Sequence, residues 1–341
     1  MMSAIGYNMD FGFAASIHQP LDWDGRETFE LITRLCRAAD DYGFDSIWKG
    51  QHFLSDLINF QPVPLIARLS GEVPTAQFGN ILLLPLHHPV KAAEYAANLD
   101  ILTDGNYTCS VAVGYRDDEF DSLDIPKSER IGRFVEGIKA MRRLWTQDRA
   151  SFDGEYFSFE DVTLNPKPVQ EGGPPIWVGA NTDKAVRRAA HLGDAWFINP
   201  HATMDTLSSQ VDVYEAALND AGKSIDDVCL PLYREALIAE DTETAIKNAA
   251  PHLTEKYDKY VDWGQSEAMG DSGDLAKEFE DLLEDRFILG TPEQAREQIA
   301  EYRDELGIDH LVLRMYWPDM PEEHCLKSIR LFGDEVIPHF Q

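Results

Sequence analysis

"FGNILLLPLHHPVKAAEYAANLDILTDGNYTCSVAV", residues 78–113, holds two short apolar runs separated by a longer amphipathic one. "FGNILLL" (78–84) and "YTCSVAV" (107–113) have strand length and are mostly apolar, the pattern of strands buried on both faces. "PVKAAEYAANLDILTDG" (89–105) reads as a helix, with Pro89 near its start and Gly105 after its end, as helix termini favour. A strand, a covering helix and a second strand predict a parallel sheet.

The same alternation runs along the chain. Strand-like runs recur at 11–17, 44–48, 175–180, 195–199, 228–239 and 309–316. In "TFELITRLCRAADDYG" the apolar positions Phe29, Ile32, Leu35, Cys36 and Ala39 repeat at helical spacing, and Gly43 stops the helix. Eight strand runs in 341 residues predict an α/β fold of the closed (β/α)8 TIM-barrel type rather than an open doubly wound sheet. No G-x-G-x-x-G follows the first strand, which counts against the open dinucleotide-binding sheet. One domain is expected over 1–341, with two insertions. "ASFDGEYFSFEDV" (150–162) alternates around Asp153-Gly154, a β-hairpin signal. Residues 250–290 are acidic and rich in Gly, Ser and aromatics, and a connection that long before the last βα unit is expected to be functional or mobile.

Sixty acidic residues oppose 30 basic ones, a net charge of −30. That balance argues against nucleic acid or an anionic membrane as a partner, because phosphates would be repelled. The acids are spread through the chain, as expected for a halophilic, acidic proteome in which counter-ions screen self-repulsion. Cys36, Cys109, Cys229 and Cys325 form no C-x-x-C pair and are expected to be reduced core thiols, with no metal site. No secretory signal and no apolar stretch of roughly 18 residues is present, so a cytoplasmic protein is expected.

In such a barrel, chemistry belongs to the C-terminal ends of the strands. This narrows the candidates to His18, Gln51, His52, Asn80, Gly114-Tyr115-Arg116, Ala180-Asn181-Thr182, Asn199-Pro200-His201 and Arg314-Met315-Tyr316. "GANTDKAVRRAA" (179–190) reads as a strand ending in a small-residue turn that opens a helix, with Asn181 or Thr182 as N-cap. Free N–H groups there suit an anion, although ordinary capping explains the same residues. His87 and His88 invite a metal reading, but no carboxylate or cysteine stands at ligand spacing.

These strand-end segments form a recognisable set. "AADDYGFDSIWKGQHF" (38–53), the stretch 81–120, "PIWVGANTDKAVRRAAHLGDAWF" (175–197) and "ILGTPEQAREQIAEYRDELGIDHLVL" (288–313) resemble the bacterial luciferase-like monooxygenase family. The resemblance runs from about residue 10 to 316. It implies a barrel binding reduced FMN, or in a sister branch a deazaflavin coenzyme, at its C-terminal mouth. By position, Ala180, Asn181 and Thr182 match the family's phosphate-binding stretch, and Gly114, Tyr115 and Arg116 the segment bordering the flavin. Gly79, Asn80 and Ile81 match the end of strand three, where the family often has a non-proline cis peptide. Three departures stand out. Gln51 replaces the first histidine of the family's Glu-His-His tip, Val113 replaces a common arginine, and the 250–290 insertion looks subgroup-specific. Gln51 cannot exchange protons near neutral pH, so light emission and aldehyde oxidation are not expected.

The resemblance therefore implies an FMN-dependent monooxygenase acting with oxygen on a small organic substrate. A separate flavin reductase and a homodimer are the expected partners. A deazaflavin-dependent dehydrogenase or reductase and a non-catalytic flavin-binding protein are the alternatives. His52 is the general acid–base candidate, since histidine titrates near about 6.5. Gln51 would hydrogen-bond the flavin edge or substrate, and Arg314 would hold an anionic substrate or pair with an acid of the insertion. Leu83, Leu84, Trp196 and the aromatics of the insertion are expected to wall the pocket against water.

Overall fold

The computed structural model describes residues 8–265, 269, 275, 282–283 and 286–341. Its strands are β1 (Asp10–Ala14), β2 (Ser46–Gly50), β3 (Gln77–Leu83), β4 (Tyr107–Ala112), β5 (Ala150–Asp153), β6 (Ser158–Val162), β7 (Ile176–Ala180), β8 (Ala195–Ile198), β9 (Pro231–Ile238), β10 (Phe287–Gly290) and β11 (His310–Arg314). Eight of them form a closed parallel barrel in the order β8-β9-β11-β1-β2-β3-β4-β7, closed where Ile198 lies opposite Leu232. The helices that matter below are α1 (Gly25–Asp41), α2 (Pro62–Leu69), α3 (Pro89–Leu102), α4 (Asp117–Ser122), α5 (Arg130–Thr146), α6 (Asp183–Leu192), α7 (Met204–Asp220) and α8 (Thr242–Asp262). The (β/α)8 barrel expected from the alternating runs is the observed architecture.

Local chemistry explains the boundaries. Asp24 opens α1 by accepting from the backbone N–H of Arg26 (2.8 Å) and Glu27 (3.0 Å), and α1 turns Leu31, Ile32, Leu35, Cys36 and Ala39 inward. His88 caps α3 and Pro89 occupies its first turn, where a missing N–H costs nothing. Thr291 and Gln294 form a reciprocal capping box on the helix Pro292–Leu306.

Period-two alternation along β3 sets the layers. Phe78 and Leu82 pack outward under the helices, whereas Ile81 and Leu83 face inward. Inside the barrel, Trp48 stacks on Trp177 at 4.8 Å and touches Phe197 at 4.9 Å. Gly79 pairs with Trp48 across β2–β3, and a Cβ there would meet the indole ring at 2.3 Å. Glycine is required at position 79 because the indole occupies that volume. The aromatic layer packs inside the barrel, below the strand exits.

Some expectations shift by a residue or more. The second strand runs 46–50 rather than 44–48, so Lys49 and Gly50 lie within it. The hairpin forms as expected, with β5 and β6 antiparallel and Phe152 opposite Phe159. Residues 250–262 of the expected insertion continue helix α8, and β10 adds a short parallel strand beside the second half of β9. Most of the remainder of 250–290 lies outside the described residues. The four cysteines are free, and burial pushes the Cys109 thiol up to about 12. Among the described residues, no helix is long and apolar enough to cross a membrane.

Candidate active site

A cavity of about 830 Å³ opens at the C-terminal ends of the barrel strands, above the Trp48–Trp177 layer. It is lined from strand exits all round the barrel, and by Tyr260, Trp263 and Gln265 at the end of α8.

One end of the cavity is cationic. Strand β7 ends at Ala180, and Asn181 and Thr182 turn the chain into α6. Thr182 is the N-cap, but its hydroxyl makes no capping hydrogen bond. Arg188 of α6, Arg130 at the start of α5 and Lys127 line the same end. Lys127 pairs with Asp117 at 2.7 Å, and Arg130 donates to the Lys127 carbonyl at 3.0 Å. Neither Arg130 nor Arg188 has a carboxylate within ion-pair distance among the described residues. Burial, and then the charge of Arg130, holds the Arg188 guanidinium below its usual range. Two guanidiniums thus face the same cavity as the turn that opens α6, in a chain that is otherwise strongly acidic.

The exits of β2 and β4 bring together a second group. Gly114 sits at φ +78°, a left-handed turn that a side chain would strain, and swings Tyr115 over the cavity. Tyr115 Oη is buried with no hydrogen-bond partner among the described residues. Helix α4 then delivers Glu119, fully buried, whose Oε1 accepts from the Phe53 N–H at 2.8 Å and lies 3.2 Å from His52 Nδ1. A carboxylate on Nδ1 favours the tautomer that carries its proton there and leaves Nε2 as an acceptor. His52 is further fixed at its carbonyl by Asn59 Nδ2 (3.1 Å) and Gln61 Nε2 (2.8 Å). Gln51 is engaged on both sides: its Oε1 accepts from the Leu83 N–H (3.0 Å) and meets His87 Nε2 (2.9 Å), while its Nε2 donates to Gln61 (3.0 Å). The amide thus ties the exit of β2 to that of β3.

Below these lies a buried polar cluster. Glu235 of β9, 0% exposed, pairs with Lys256 of α8 and accepts from Trp317 Nε1 at 2.6 Å. Burial holds the Lys256 ammonium below its ordinary value, against the pull of Glu235. Arg314 donates to Tyr260 Oη at 3.2 Å, and His201 Nδ1 lies 3.1 Å from Tyr257 Oη. Burial, then the nearby cations Lys49 and Arg314, pushes His18 down, so it is neutral at pH 7.

The structure brings His52, Gln51, Gly114, Tyr115, Ala180, Asn181, Thr182 and Arg314 to one cavity. Three expected cofactor contacts fall elsewhere. Gly79 and Asn80 lie in mid-strand, because β3 continues to Leu83. Gly79 makes room for Trp48, and Asn80 Oδ1 accepts from Tyr107 Oη. Arg116 lies buried over the Trp263 ring at 4.3 Å and pairs with Asp118. Among the described residues the sole cis peptide is Asn165–Pro166, so residues 79–81 are trans in a regular ladder. Leu84 and Trp196 pack outside the barrel wall, whereas Leu83 and the 250–290 aromatics Tyr260 and Trp263 line the cavity, joined by Phe197. His87 and His88 serve Gln51 and the α3 N-terminus, and among the described residues no three side chains are grouped to hold a metal. Sequence reasoning missed Glu119, Lys127, Arg130, Arg188, Glu235 and Lys256. None ends a strand, and only their convergence in space marks them.

Comparison with known proteins fits this geometry. Residues 9–310 match the family model described as luciferase-like monooxygenase. The chain is 29% identical over 267 residues to an FMNH(2)-dependent dimethylsulfone monooxygenase of Pseudomonas putida, covering 73% of this chain and 70% of that one. It is 27% identical over 323 residues to an F420-dependent glucose-6-phosphate dehydrogenase of Microbacterium testaceum, covering 89% and 91%. In fold it is similar to monooxygenase RslO1 from Streptomyces bottropensis, with a TM-score of 0.87, 23% identity and coverage of 98% and 100%. The chain belongs to the luciferase-like monooxygenase family and is an enzyme.

Proposed function

We propose that this enzyme is a flavin-dependent monooxygenase that uses reduced FMN and oxygen on a small organic substrate. The observation that carries the reading is the cavity itself: a cationic helix start at one end, aromatic and aliphatic walls along its length, and positioned polar groups between. A monophosphate suits the Arg130–Arg188 end, where two guanidiniums lack a counter-ion among the described residues. Tyr115 Oη, buried without a partner among the described residues, is a donor that a flavin or substrate oxygen would satisfy. These residues therefore fit the flavin on observations independent of any relative.

Reduced FMN, when bound, supplies the electrons with which oxygen is activated. The chain's part is to bind, to exclude water and to manage a proton. Leu83, Phe197, Tyr260 and Trp263 make the wall that keeps water out. His52 is the general acid–base group, with Glu119 holding its Nδ1 so that Nε2 does the exchange. Gln51 sets the loop that carries His52 and moves no proton. A separate flavin reductase would supply the reduced cofactor.

A second reading is a deazaflavin-dependent dehydrogenase. What favours it is the basic trio Lys127, Arg130 and Arg188, which suits a longer anionic cofactor tail, and the similarity to an F420-dependent relative. Titration with reduced FMN and reduced deazaflavin, followed by oxygen uptake, separates the two. Tight reduced-FMN binding with oxygen consumption is expected. Deazaflavin binding without FMN affinity would overturn the monooxygenase reading.

A further inference from the structure

The lower end of the cavity holds more positive than negative charge. Glu235 is its only buried carboxylate among the described residues, and both of its oxygens are engaged, one by Lys256 and one by Trp317 Nε1. Lys256 is thus ion-paired. Arg314 lies opposite Glu235 on the neighbouring strand and feels its charge, but makes no ion pair with it. It lines the cavity, is 3% exposed, and has no carboxylate within ion-pair distance among the described residues. Its hydrogen bonds are a neutral pair, to Tyr260 Oη at 3.2 Å and to the Tyr316 carbonyl at 3.4 Å. Nη2 has no protein partner among the described residues.

A guanidinium cannot shed its proton to escape burial, so a buried one is ordinarily paired. His18 beside it shows the same field: after burial itself, Lys49 and Arg314 are the charges that drive it neutral. The expected pairing of Arg314 with an acid is not what the described residues show. The alternative weighed for it, an anionic ligand, supplies the missing charge.

We propose that Arg314 is the anchor of a substrate subsite, and that the substrate is a compact organic anion, with a terminal carboxylate or sulfonate on an apolar body. The oxyanion meets the free edge of the guanidinium, while Tyr233, Tyr260 and Trp263 cover the apolar part. The flavin phosphate takes the other cationic end, at Arg130 and Arg188, so the two anions are held by different residues. This assignment rests on the flavin-dependent reading above.

The test uses hexanoate and hexanesulfonate against hexanamide, their neutral analogue. Binding is followed by tryptophan fluorescence and by the unfolding midpoint, in flavin-free protein and in protein saturated with FMN. The anions are expected to bind about 10- to 100-fold more tightly than the amide, the range of a charge-assisted bond to a buried cation. Arg314→Gln is expected to abolish that preference while FMN affinity stays within about threefold. Arg314→Lys, which keeps the charge without the fork, retains the preference at reduced strength and serves if the glutamine variant does not fold. Equal binding of anion and amide by the wild type would overturn the proposal. So would a preference that survives Arg314→Gln, or a fall in FMN affinity parallel to it, which would assign Arg314 to the flavin. Failure of the wild type to bind FMN would strike the flavin reading, and the flavin-free comparison would still decide the anion subsite.

Discussion

Lys256→Met removes the cation bound to Glu235 inside the barrel wall. Without it, the fully buried carboxylate keeps one hydrogen bond, from Trp317 Nε1 at 2.6 Å. Arg314, opposite Glu235 on the neighbouring strand, makes no ion pair with it, so a buried carboxylate that has lost its paired cation is less stable than its protonated form and the folded variant takes up a proton. An unfolded glutamate titrates near about 4.3, and a folded-state value raised above that gives stability at low pH which is lost as pH rises. At pH 7, some 2.7 units higher, full protonation sets a ceiling of about 3.7 kcal/mol at about 1.36 kcal/mol per unit, which the charge of Arg314 on the neighbouring strand lowers. At pH 5 it shrinks to about 1 kcal/mol. Urea unfolding of variant and parent at the two pH values, followed by tryptophan fluorescence, reads both numbers. The double variant Glu235→Leu/Lys256→Met is expected to return to within about 1 kcal/mol of the parent at pH 7. A penalty equal at both pH values, or one below about 1 kcal/mol at pH 7, would refute the reasoning.

Glu119→Gln is expected to lower turnover by about tenfold or more and to shift the His52 proton from Nδ1 toward Nε2. Imidazole nitrogen NMR of the flavin-free protein checks the tautomer, and an unchanged spectrum contradicts the assigned role. His310, 3.0 Å from Ser46 Oγ and packed against Trp48 and Trp177, is pushed down by burial to about 3. Below pH 6.5 the unfolded chain therefore binds a proton that the folded chain refuses, and stability is lost as pH falls. Between pH 6.5 and 5 the parent should lose about 2 kcal/mol more than His310→Gln, measured as the difference in urea unfolding free energy. With a net charge of −30, the thermal unfolding midpoint should rise from dilute buffer to molar salt, and a flat or falling midpoint contradicts the proposed salt adaptation.

The barrel was legible because its strands are buried on both faces and so stand out as apolar runs bounded by Gly- and Pro-marked helices. β10 was not legible, since "FILG" is four residues long and pairs only with the end of β9. At the site, position along a strand was the usable signal, and it placed Gln51, Gly114, Tyr115, Asn181 and Arg314 at the cavity. Gly79 and Asn80 were placed at a strand end through the family resemblance, whereas β3 runs on to Leu83, as the apolar run 78–84 itself indicates. Glu235 was hidden inside "PLYREALI", where a buried charge is disguised by its apolar neighbours. Glu119, Arg130 and Arg188 come from three helices, and only folding shows which of the chain's many charges face the cavity. Gln51 changed meaning most: read as a contact for flavin or substrate, it proves to be a clamp between strand exits that holds the loop bearing His52.

The central claim is that the start of α6, with Arg130 and Arg188, holds the phosphate of a flavin. Equilibrium titration of the wild type and of Arg188→Gln with FMN and with riboflavin, which differs from FMN by that phosphate, tests it most directly. The account predicts that the wild type binds FMN at least about tenfold more tightly than riboflavin, and that Arg188→Gln narrows the gap toward equality. Equal affinities in the wild type, or a gap that Arg188→Gln leaves untouched, would contradict it.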